Sequence, residues 1–188
     1  MNVDVGGQKS KDKQLGWVKL DILKGADIIH DLNSRKPMPF PNNSIHNIYC
    51  SHTLEHLEPE RIGFVLNDFY RVVKPKGRCR IVVPNTAYGI DLYINNPKEL
   101  IEGDYCAKPR TVHTPDTKMG WLTAWFYTKG YGHRIGFDEE FLRSFLERTK
   151  FTNIIKMSYN KCSEVFKGKD FHHYANWSIY FEMVKGKG

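Results

Sequence analysis

Hydrophobic residues in this chain fall into short alternating runs and one longer helical stripe. Val3-Asp-Val5, Trp17-Val-Lys-Leu-Asp-Ile22, Ala26-Asp-Ile-Ile-His-Asp31, Ser44-Ile-His-Asn-Ile-Tyr-Cys50 and Arg78-Cys-Arg-Ile-Val-Val83 each predict a strand. Between the last two, Pro59 to Val73 puts Ile62, Val65, Leu66, Phe69, Val72 and Val73 on one helical face, and Pro75 and Gly77 end it. A helix between two strands implies a right-handed crossover in a parallel sheet. Ligands of such sheets lie outside the carboxyl ends of the strands. Ser51-His-Thr-Leu-Glu-His56 therefore falls on the functional edge.

Asp138 is positioned to cap a helix running to Thr149, with Glu139 and Glu140 complementing its dipole. Phe151–Met157 and Trp177–Val184 read as closing strands. Residues 86 to 136 fit no regular layer and are rich in aromatics. They leave directly from the fifth strand at Pro84-Asn85, which favours a lid over a site. The expectation is one domain over 1–188 with an insertion at about 86–136.

Composition narrows the class. With 188 residues and 40% hydrophobic content the chain can bury a substantial core. It has no apolar run long enough for a membrane span and no signal-peptide pattern at its start. The four cysteines are widely spaced, with Cys50 and Cys79 in predicted interior strands, so structural thiols and a reducing, cytoplasmic setting are expected. The net charge is +7. Lys9, Lys11, Lys13, Lys19 and Lys24 crowd the first quarter, and Arg71, Lys74, Lys76, Arg78 and Arg80 flank the second turn. Nucleic acid fits that field, but no aromatic-interleaved motif supports it, and a solvated basic surface is the simpler reading.

Val3-Asp-Val-Gly-Gly7 places a glycine bend after the first strand, where a ligand can approach the backbone closely. Asp21 and Asp31 end the next two strands, and such carboxylates can hold ribose hydroxyls. A nucleoside held between bend and carboxylates follows. Those residues, with Met38-Pro-Phe-Pro-Asn-Asn-Ser44, Ile48-Tyr-Cys-Ser-His-Thr-Leu-Glu-His-Leu57, Arg71-Val-Val-Lys-Pro-Lys-Gly77, Ile81-Val-Val-Pro84 and Gly132-His-Arg-Ile-Gly-Phe-Asp138, carry a resemblance across nearly the whole chain. The chain resembles a class I S-adenosylmethionine-dependent methyltransferase of the small type-11-like group.

The resemblance implies an α/β, three-layer Rossmann-like sheet, mostly parallel, with reduced helices in its first half and an aromatic insertion after the fifth strand. It implies S-adenosyl-L-methionine as cofactor and methyl transfer to a small-molecule or glycan acceptor. Asp4, Gly6, Gly7, Asp21, Asp31, Leu32, Ser51 and His52 would bind the cofactor, and no metal is expected. There are departures. Gln8 stands where the group places a second spaced glycine, and nine residues separate Gly7 from Trp17, too few for a full helix plus turns. Only Leu23-Lys-Gly25 joins the second and third strands, which suggests a hairpin or irregular edge. A catalytically inactive cofactor- or partner-binding module is thus the alternative, and a homodimer could cover faces that missing helices leave bare.

His52 and His133 are the candidate general bases, since imidazole titrates near neutrality. Trp121, Trp125, Tyr127 and Tyr131 could close over a substrate. His52-Thr-Leu-Glu-His56 also matches the H-x-x-E-H pattern of one zinc peptidase group. Its strand-end context is unlike a helix, and a third ligand would have to come from Glu99, Glu102 or a later carboxylate.

Overall fold

A computed structural model describes residues 1–7, 16–102, 117–127 and 132–187. Among the described residues seven strands form one sheet: β1 (Asn2–Val5), β2 (Trp17–Asp21), β3 (Ile28–Ile29), β4 (Ile45–Ser51), β5 (Val73–Pro84), β6 (Thr152–Met157) and β7 (Ser178–Val184), in the order β3-β2-β1-β4-β5-β7-β6. β1 to β5 pair in parallel, and β7 runs antiparallel between β5 and β6. The helices are α1 (Pro59–Val72), α2 (Thr86–Asn95), α3 (Pro97–Glu102), α4 (Lys118–Tyr127) and α5 (Glu139–Leu146).

Alternation sorts the sheet into two faces. Val3, Val5, Leu20, Ile48, Cys50, Cys79, Ile81, Phe181 and Met183 pack with α1 and α5 into the main core. α1 starts on Pro59 at its first turn and buries Ile62, Val65, Leu66, Phe69 and Val72. Its buried Asp68 accepts a hydrogen bond from Met38 N (2.7 Å) and pairs with Arg71, whose guanidinium also donates to the carbonyls of Met38 and Phe40. The helix thereby anchors the β3–β4 connection. α5 opens on Asp138, whose Oδ1 accepts from Phe141 N at 2.7 Å.

The opposite face carries Trp17, Asp4, Tyr49, Arg80, Val82, Tyr180 and Glu182. The β6–β7 connection folds back across it. Phe166 packs with Tyr49, Val82 and Tyr180. Arg80, with no exposed surface, pairs with Asp170 (2.5 Å) and Glu182 (3.1 Å) and donates to Ser158 O (3.2 Å). Asp170 also accepts from Asn160 N, and Glu182 from Ser163 N and Oγ. Lys169 Nζ donates to Asp4 and lies over the rings of Trp17 (4.6 Å) and Tyr49 (5.0 Å). Arg80 therefore belongs to a buried ion-pair network and Arg71 to a half-buried pair with Asp68, rather than to the expected basic surface. The β6–β7 connection thus covers part of the sheet that a twin subunit was expected to cover.

Two expectations are corrected. β2 and β3 pair in parallel, not as a hairpin: β3 is two residues long and meets only the end of β2, Leu20 with Ile28 and Asp21 with Ile29. Residues 22–27 therefore suffice as a loop, held by Asp27 Oδ2 accepting from Lys19 N at 2.9 Å. The 86–136 stretch does contain regular structure, α2 to α4. Cys50, Cys79 and Cys162 are free, as expected of structural thiols; Cys106 and Gln8 lie outside the described residues. No helix among the described residues is long and apolar enough to cross a membrane.

Removing Asp170 would strand Arg80 with half its compensation. Asp170→Ala should cost about 3–5 kcal/mol in urea unfolding. A loss below about 1 kcal/mol would show that the buried pair does not hold the connection down.

Candidate functional site

Strand register gathers the predicted residues along one edge. Val5 pairs with Leu20 on one side and Cys50 on the other, and Leu20 pairs with Ile28. Gly6, Asp21 and Ser51 are each one residue beyond those rungs, and Asp31 follows the end of β3. Gly6 adopts φ +73° and donates to Leu20 O at 2.9 Å. A Cβ there would stand 1.8 Å from Thr53 Oγ1, while one on Gly7 would meet the Asp4 carboxyl carbon at 3.0 Å. The Thr53 hydroxyl itself lies within bonding distance of the carbonyls of Val5 (3.2 Å) and Ser51 (3.0 Å), which ties the exits of β1 and β4 together.

The acidic tips are locally organised. Asp21 Oδ1 accepts from Leu23 N and Asp31 Oδ1 from Asn33 N, both at 2.9 Å. Asp31 is exposed and Asp21 half-buried. Leu32 instead belongs to the main core, so only its backbone borders this edge. Asp4 faces the opposite side of the sheet and is held by Lys169. Burial raises its carboxyl pKa, partly offset by that ammonium.

His52 follows β4 with φ +50° and donates its amide to Val82 O at 2.9 Å. Its Nε2 sits 2.9 Å from Ser178 Oγ, its ring stacks on Tyr174 at 3.8 Å, and Trp177 meets it edge-on at 5.2 Å. Leu54–His56 then forms a single 3-10 turn, not an α-helix. This turn buries Glu55, with Oε1 3.6 Å from His52 Nδ1 and 3.8 Å from His56 Nε2. His133 closes the group: its ring lies 5.0 Å from His56 and 4.8 Å from Trp125, and Arg134 N donates to Glu55 O at 2.7 Å. The peptidase-like spacing is therefore not displayed on a helix. Glu99 and Glu102 are exposed on α3, and the residue that joins Glu55 and His56 is His133.

Burial dominates the titration of this group. It lowers His52 to about 3, helped by the neighbouring His133, His56 and His173, and lowers His133 to about 3, helped by His56. It raises Glu55 to about 8. Both histidines are thus neutral at pH 7 and weakly basic, so neither has the near-neutral basicity for which they were singled out as bases.

The insertion packs its own small core from Leu92, Leu100, Trp121, Trp125 and Trp177. Trp121 and Trp125 are buried there, which leaves them little free face for a substrate; Tyr131 and the Tyr127 side chain lie outside the described residues. Trp177, which touches His52, joins this cluster to the sheet edge.

Comparison with known proteins agrees with this architecture. Residues 9–81 match the family model described as a methyltransferase domain. A SAM-dependent methyltransferase from Archaeoglobus fulgidus superposes with TM-score 0.59 at 16% identity, covering 98% of this chain and 85% of that one. The chain has the Rossmann-like fold of the class I methyltransferases. A Thermotoga maritima SAM-dependent methyltransferase, described as a possible histamine N-methyltransferase, aligns with TM-score 0.56 at 14% identity over 98% of this chain and 81% of that one. Phosphoethanolamine N-methyltransferase 2 from Haemonchus contortus, in complex with S-adenosyl-L-methionine, gives 0.53 at 12% identity over 99% and 48%. No curated protein matches in sequence. The sequence-based expectation of a Rossmann-like methyltransferase sheet is met.

Two outcomes are expected. Gly6→Ala forces a side chain into a left-handed backbone and into Thr53, so it should destabilise by at least about 1–3 kcal/mol in chemical denaturation; a neutral result would contradict the packing of the bend. Stability should also depend on pH through two opposed groups. The contribution of His52 and His133 is present above their ordinary 6.5 and is lost as pH falls towards 3. That of Glu55 is present below its ordinary 4.5 and is lost as pH rises through about 8. In metal-free buffer, Glu55→Gln should therefore flatten the decline between about pH 6.5 and 8, and an unchanged slope in denaturation titrations would contradict the burial of an unpartnered carboxyl.

Proposed function

We propose that this methyltransferase-fold chain binds S-adenosyl-L-methionine at the edge formed by the ends of β1 to β4 and transfers its methyl group to a small-molecule or glycan acceptor. The observation that carries the reading is the shared edge of the Gly6–Gly7 bend, Asp21 and Asp31. In that arrangement the bend would pass beneath the methionyl part, Asp21 would accept hydrogen bonds from the ribose hydroxyls, and Asp31 with the Leu32 backbone would border adenine. Ser51 and His52 would line the side of the transferable methyl. The Haemonchus contortus protein, seen with the same cofactor, supports the choice of ligand.

Methyl transfer from a sulfonium is an in-line displacement with a good leaving group, and positioning alone can supply roughly 7–11 kcal/mol. That suits a site whose histidines are neutral and weakly basic. Here His52 would act chiefly as a rigid wall, fixed by Ser178 and Tyr174, and His133 as part of the acceptor side. The insertion would close that side as a lid, through Trp177 and His133.

One observation favours a second reading, a non-catalytic cofactor- or partner-binding module: Lys169 already occupies Asp4, the carboxylate nearest the glycine bend. Calorimetric titration with S-adenosylhomocysteine, followed by a methyl-transfer screen, separates the two. Binding should be saturable, raise the melting temperature, and weaken about tenfold or more in Asp21→Ala, the size of a lost charge-assisted hydrogen bond. Binding without turnover on any acceptor would favour the module, and no binding at all would overturn both cofactor readings.

A further inference from the structure

Glu55 is 1% exposed, and neither of its carboxylate oxygens has a hydrogen-bond partner among the described residues. His133 Nδ1 is buried and equally unpartnered. Polar atoms taken out of water without compensation are costly, so two such groups in neighbouring residues of one cluster call for an explanation. One ligand atom from each of Glu55, His56 and His133 lies within 4.8 Å of the other two. Donors about 2.1 Å from a tetrahedral centre stand about 3.4 Å apart, so the remaining contraction is on the scale of side-chain torsions.

His56 is oriented for the same task. Its Nδ1 lies 3.4 Å from the Gly132 carbonyl, which can only accept, and in the tautomer that donates there Nε2 presents a lone pair on the Glu55 side. A ligating histidine whose other nitrogen donates to a carbonyl is the usual outer support of a metal site. The two chain segments are also fastened to each other, since Arg134 N donates to Glu55 O at 2.7 Å.

We propose that Glu55, His56 and His133 bind one divalent transition-metal ion of the zinc class at the edge of the sheet. Two imidazoles and one carboxylate suit such an ion better than magnesium or calcium, which prefer oxygen donors throughout. Three protein ligands leave a coordination position for water or an oxygen-bearing molecule. The ion offsets the buried carboxylate and pins the return of the insertion to the turn after β4. This site departs from the expectation of no metal, and it stands whether or not S-adenosylmethionine binds.

The test is titration of chelator-treated protein with Zn²⁺ by calorimetry and with Co²⁺ by visible absorption. One ion per chain is expected, with His56→Ala and His133→Ala each weakening binding by more than about tenfold. His172→Ala, an exposed histidine outside the cluster, should leave it unchanged. Circular dichroism of each variant verifies folding, and the half-exposed His56 position keeps the test usable if His133→Ala does not fold. Absence of binding to the wild type, or stoichiometric binding that His56→Ala leaves intact, overturns the proposal. S-adenosylhomocysteine titration of the same samples is read separately: its failure with metal binding intact refutes only the nucleoside site.

Discussion

A parallel sheet must be covered on both faces, because its strands are buried on both. This chain has little length for covering helices between β1, β2 and β3, and it meets the constraint from the other end of the sequence. The β6–β7 connection returns over the bare face and is fixed by Phe166 and by two sets of buried charges, Arg80 with Asp170 and Glu182, and Lys169 with Asp4. Buried ion pairs add little net stability compared with apolar packing, yet breaking one is costly, so they specify where the segment sits. The cover reaches β1, β2, β4 and β5 through Asp4, Trp17, Tyr49 and Arg80.

The edge is itself tightly determined. Gly6 has no room for a side chain against Thr53, and Thr53 joins the exits of β1 and β4. His52 is wedged between Tyr174 and Trp177, and Glu55 is buried beneath the return of the insertion. The same burial that fixes these groups lowers the basicity of His52 and His133. On the proposed reading, such a site would work by holding groups in place.

Much of this was legible in the chain. The alternating runs marked the strands, the 3.6-residue stripe marked α1, and Asp138 announced the start of α5, because these are local signals. The glycine bend and the acidic ends of β2 and β3 were legible for the same reason, once parallel crossovers put them on one edge. What escaped were long-range pairings. Arg80 looked like one of a cluster of surface cations until Asp170 and Glu182 arrived from the far end of the chain. His133 gave no sign of standing beside Glu55 and His56. The insertion helices were missed because α4 is apolar on most sides, which blurs the helical period, and α3 is short. β3 was read as longer than it is, since Ala26 to Asp31 alternates although only Ile28 and Ile29 pair.

The most direct measurement is a crystal structure with S-adenosylhomocysteine at saturating concentration. The account places the ribose against Asp21, the homocysteine portion across Gly6 and Gly7, and the sulfur facing the Ser51–His52 side. Density for the nucleoside on another face of the sheet, or none at all under those conditions, would contradict it.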